Sequence, residues 1–126
     1  MDQYNQDYLA HYGIIGMKWG VHRNPQRAYE KATRKFDKLT KRSDKNLDRS
    51  GKFNDRALRG RNAEKNAQKA SKAYNKAMND AKRASKWMKS MEKEFSKQSV
   101  VSIDQSYIDR GAAMLERYRT MRAGRH

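Results

Sequence analysis

The side chains able to do chemistry in this 126-residue chain are few, and their spacing says what they can do. His11, His22 and His126 are the three histidines, and no two stand at a spacing that would share a metal on one helix face. The chain has no cysteine, so thiolate sites and disulfides are excluded. Asp104 and Asp109 read as helix N-terminal charges rather than as an acid/base pair. Gly13, Gly16 and Gly20 are not followed by the lysine and hydroxyl residue that grip a phosphate in a nucleotide-binding loop. No catalytic residue, cofactor site or metal site is expected, and the protein is read as a non-enzyme. What remains is cationic chemistry. Lys65, Lys69, Lys72, Lys76, Arg83, Lys86, Lys93 and Lys97 recur at steps of three and four, or sums of these, with Asn79 and Ser90 filling the missing positions. On a helix they form one stripe suited to the phosphates of DNA or RNA or to an acidic protein surface. A solvated helix face accounts for the same pattern, although such faces normally mix signs for i,i+4 pairing.

The stripe needs a long helix to carry it. Ala63, Ala67, Ala70, Tyr74, Ala77, Ala81, Ala84, Met88, Met91 and Phe95 alternate steps of four and three, which is a heptad seam on the side opposite the lysines. The spacing predicts a helix over 54–97, about 65 Å long, with alanines that admit a close neighbour. An earlier helix over 25–48 starts at Asn24-Pro25, a side-chain cap followed by a proline at the first helical position. It buries Tyr29, Ala32, Phe36 and Leu39, and Ser50-Gly51 is expected to end it or shift its phase. Ser102 to Gln105 has the form of a capping box for a third helix over 103–122, whose face is Tyr107, Gly111, Met114, Tyr118 and Met121.

The expected fold is therefore all-α. An extended N-terminal arm, residues 1–23, precedes a basic helical domain, residues 24–126, in which helices two and three form an antiparallel hairpin within an elongated coiled-coil-like bundle. Helix three is too short to cover helix two, so helix one or a second copy must cover the rest, and the alanine seam offers a homo-oligomer contact.

Global composition agrees with a binding role. Thirty Lys and Arg stand against 14 Asp and Glu, a net charge of +16. Residues 18–97 hold 25 of those bases and nine of the acids, so this segment alone carries +16. Mean hydropathy is −1.28, which leaves little material for a thick core. No apolar run approaches a membrane span and no secretion signal is visible, so no membrane partner and no signal-borne export are expected.

The stretch HYGIIGMKWGVHR, residues 11–23, departs from all this. Ile15, Met17, Trp19 and Val21 alternate with Gly16, Lys18 and Gly20, so an extended strand presents a bulky row on one side and little on the other. Such a ribbon either docks on another protein, with Trp19 as anchor, or closes over the chain's own helices. It resembles a short motif of head-associated proteins from tailed phages and prophages of Gram-positive bacteria. The match falls on His11, Gly13, Gly16, Met17, Lys18, Trp19, Gly20, Val21 and Arg23, with Ile15 where lysine is common and His22 in place of the first of a basic pair. The resemblance covers about a tenth of the chain and implies a bacteriophage protein with an N-terminal docking or packaging tag, located in the virion, inside or on the head, or in the host cytoplasm. Two functions follow: a virion or capsid-assembly protein that binds a structural partner through the arm and nucleic acid through its helices, or an anti-CRISPR-type inhibitor of a nucleic-acid-loaded host defence protein.

Overall fold

In the computed structural model, which describes residues 24–124, the chain is all-helical. Helix α1 spans Pro25–Leu58, α2 spans Ala63–Phe95 and α3 spans Gln105–Ala123. The start of α1 follows from its sequence: the Asn24 side chain accepts from the Arg27 N–H at 3.1 Å, and Pro25 fills the first helical position.

The helix does not stop at residue 48 as expected from Ser50-Gly51. Ser50 is buried and its hydroxyl donates to the Ala70 carbonyl at 2.8 Å, so the small residue is a contact point between helices and tertiary packing overrides its weak propensity. The chain turns later, at residues 59–62, where Gly60 has φ +81° and Asn62 φ 40°, left-handed conformations that suit these two residue types. The second helix accordingly starts at Ala63 rather than near Asn54.

Three hydrogen bonds set the direction of α2 against α1. Trp87 Nε1 donates to the Ala32 carbonyl at 2.9 Å, Ser43 Oγ to Ala77 at 2.9 Å and Ser50 Oγ to Ala70 at 2.8 Å, so the helices run antiparallel. Helix α3 turns back again: Gly111 meets Met88 and Tyr74 donates to the Met121 carbonyl at 2.9 Å. The connector is held by α1, with Gln26 Oε1 accepting from the Ser102 N–H at 2.7 Å and the Tyr29 hydroxyl accepting from the Asp104 N–H at 3.1 Å. The cap of α3 is Asp104 rather than Ser102, and it accepts from the Ser106 N–H at 3.0 Å and from the Ser106 hydroxyl at 2.8 Å. Those hydrogen bonds hold the Asp104 carboxyl below its usual range, while burial raises the Tyr29 phenol above its own.

The core lies where all three helices overlap. Tyr29, Phe36 and Leu39 of α1 pack with Ala84, Trp87, Met88, Met91 and Phe95 of α2 and Met114 of α3. The seam alanines Ala70, Ala77, Ala81 and Ala84 are buried, whereas Ala63 and Ala67 are exposed. Because α1 and α3 both pack on α2, the buried face is wider than the heptad seam and takes in Ala73, Met78, Asp80, Ser85, Trp87 and Ser90. The chain's own helices thus cover the buried alanines, which leaves them no face for a second copy.

At Gly111 the fit is tightest. A Cβ there would lie 2.5 Å from Met88 Cγ and 2.8 Å from Met88 Cβ. Overpacking of this kind costs about 1–3 kcal/mol, against up to about 1 kcal/mol that alanine gains over glycine within a helix. Thermal melts of Gly111→Ala are expected to show a net loss of stability, and the double variant with Met88→Ala should lose less than the sum of the two single changes.

Candidate nucleic-acid interface

All eight stripe cations, Lys65, Lys69, Lys72, Lys76, Arg83, Lys86, Lys93 and Lys97, are exposed. Among the described residues, the ion pairs join Arg42 to Asp80, Lys52 to Asp48, Arg59 to Asp55, Arg110 to Asp37 and Arg117 to Asp44, so none involves the stripe. Ser90, at a stripe position, is buried; it separates Lys93 and Lys97 from the run between Lys65 and Lys86.

Tertiary structure adds a second row that reading the stripe alone did not supply. Lys35, Arg42, Arg49 and Arg56 recur every seven residues on α1, a rise of about 10.5 Å per step. Their contacts place them beside α2. The Lys35 ammonium lies 5.9 Å from the Trp87 ring centre, Arg42 reaches Asp80, and Arg56 Cζ lies 5.6 Å from the Phe53 ring centre, with Lys69 Nζ at 5.5 Å from the same ring. Asn46, Arg49 and Phe53 of α1 line a groove with Lys69, Lys72 and Lys76 of α2, floored by Ala73. From Lys35 to Arg56 the cationic edge runs for about 32 Å.

The acids explain why this face is so positive. Asp37 pairs with Arg110 of α3 at 3.0 Å, and Asp44 pairs with Arg117. Asp48 and Asp55 pair along α1 with Lys52 and Arg59. Helix α1 therefore spends two of its carboxylates on α3 and leaves the bases beside α2 without counter-charge. The exception is Asp80, which is buried, accepts from Asn46 Nδ2 at 3.3 Å and sits 3.8 Å from Arg42 Nη2. It ties the two helices together at the middle of the face. Two cationic edges flanking a groove focus a positive potential into it.

The residues expected to dock, His11, Gly13, Gly16, Met17, Lys18, Trp19, Gly20, Val21 and Arg23, lie outside the described residues, as do His22 and His126. Among the described residues there is no group of three or more His, Cys, Asp or Glu side chains that could hold a metal ion, and no helix is long and apolar enough to cross a membrane.

Residues 1–26 match a family of unknown function, DUF7211, so the likeness takes in all of residues 1–23 and only the first two residues of α1. No curated protein matches the chain. No solved structure matches it either.

Proposed function

We propose that this is a non-enzymatic, virion-associated or head-assembly protein of a bacteriophage, whose basic helices hold the phosphate backbone of nucleic acid and whose N-terminal arm docks on a structural partner. The observation that carries the nucleic-acid part is the groove between α1 and α2, lined by Arg49, Lys69, Lys72 and Lys76 with no carboxylate among its lining side chains. Surface charges kept for solubility alone gain from pairing with nearby opposite charges, as Asp48 and Asp55 do on the other flank of α1. The antiparallel α2–α3 hairpin and its coiled-coil-like packing serve this reading as the stiff frame that keeps the cations in line. The phage and arm components rest on the resemblance of residues 11–23.

Contacts to phosphate make affinity steeply salt-dependent and indifferent to sequence. For about six neutralised phosphates, log Kobs should fall with log salt at a slope of about −5 on duplex and about −4 on a single strand. Titration of labelled oligonucleotides at rising salt, with the full chain and with a chain starting at Asn24, measures this. The arm component predicts that both chains bind nucleic acid alike but that only the full chain is recovered in purified particles. A flat salt response, or affinity for an acidic protein with none for nucleic acid, would replace the nucleic-acid reading.

A further inference from the structure

We infer that the groove takes single-stranded nucleic acid, with Phe53 as the platform for one base; this rests on the phosphate-binding reading above. Phe53 lies outside both apolar clusters of the described residues, so its ring is not needed to fill the core they form. It is half-buried in the groove, among Asn46, Arg49, Lys69, Lys72 and Lys76. Lys69 and Arg56 hold their charges at 5.5 and 5.6 Å from its ring centre.

An aromatic ring set among cations is the arrangement that binds single strands in general: the cations follow the backbone and the ring stacks a base, whichever base it is. Lys69 and Arg56 then exchange a weak, exposed contact with the ring for a phosphate, which frees the ring for the base. The two cationic edges stand about as far apart as the axes of two packed helices, 8–10 Å, so one phosphodiester strand running along the groove is reached from both sides. A duplex keeps its bases stacked inside and can use only the cations.

The test compares a 20-nucleotide single strand with the duplex of the same sequence, by fluorescence anisotropy at one salt concentration. Wild type, Phe53→Leu, Phe53→Tyr and the triple variant Arg49→Glu/Lys72→Glu/Lys76→Glu are measured, with melting curves for each. Phe53→Leu should weaken single-strand binding by at least about five-fold, leave duplex binding and the melt nearly unchanged, and Phe53→Tyr should restore wild-type affinity. If Phe53→Leu changes neither form, or weakens both equally, the base platform is overturned while the phosphate groove stands. If wild type binds neither form, or the triple variant binds as well as wild type, the phosphate-binding reading fails and the platform with it.

Discussion

Trp87→Ala is expected to cost about 3–5 kcal/mol, the usual loss for removing a buried tryptophan. That is a large share of the roughly 5–15 kcal/mol that holds a domain folded. The side chain is 4% exposed and packs in the main cluster with Phe36, Met91 and Phe95. Its Nε1 donates to the Ala32 carbonyl at 2.9 Å, and its ring carries the Lys35 ammonium at 5.9 Å. One residue thus joins the core, the α1–α2 register and the first cation of the α1 row. Trp87→Phe keeps most of the apolar volume and removes the N–H, so it should cost nearer 1–2 kcal/mol. Chemical denaturation of the two variants separates these contributions. A loss below about 1 kcal/mol for Trp87→Ala would mean that α1 does not pack on α2 as described.

Reversing Arg49, Lys72 and Lys76 to glutamate should abolish most nucleic-acid binding while the fold persists. All three side chains are exposed, and none belongs to an ion pair among the described residues. At 50 mM salt, each released counterion contributes roughly one decade of affinity, so removing three contacts lowers it about a thousand-fold. The salt slope should shrink by about three at the same time. The control is Arg34→Glu/Lys89→Glu/Arg119→Glu, which changes net charge equally at exposed positions that do not line the groove. Equal losses from the two triple variants would show a general effect of net charge with no defined groove.

A third handle is pH. The Asp104 carboxyl titrates below its ordinary range, so its share of the α3 cap is present at neutral pH and is lost as pH falls through the lowered value. Tyr29 titrates above its ordinary range, so its contribution is complete below about pH 10 and fades as pH rises further. Together they predict a broad plateau of stability around neutrality.

Much of each helix was legible in the residues. Asn24-Pro25 marks the start of α1 because the cap is a local interaction between neighbours in sequence, and Tyr29, Ala32, Phe36 and Leu39 are buried because a helix has one apolar side wherever it packs. The eight lysines and arginines of the stripe are exposed for the complementary reason. Ser43, Ser50 and Trp87 carried no such signal. Two are small polar residues and the third sits off the heptad seam, and each acquires its role by bonding to a carbonyl on another helix.

The sequence alone therefore determined that the chain forms three helices, where the first begins, which side of each is apolar, and that one long segment is strongly basic; these depend on periodicity and composition within one segment. Tertiary structure alone decided that α1 continues through Gly51, that Asp104 rather than Ser102 caps α3, that Ser90 is buried within the stripe, and that Arg49 stands across a groove from Lys69, Lys72 and Lys76. A helix has two flanks beside its apolar face, and its own sequence does not say which neighbour each of them will meet. Docking assigns one flank of α1 to α3, where Asp37 and Asp44 meet Arg110 and Arg117, and the other to α2, where base stands beside base.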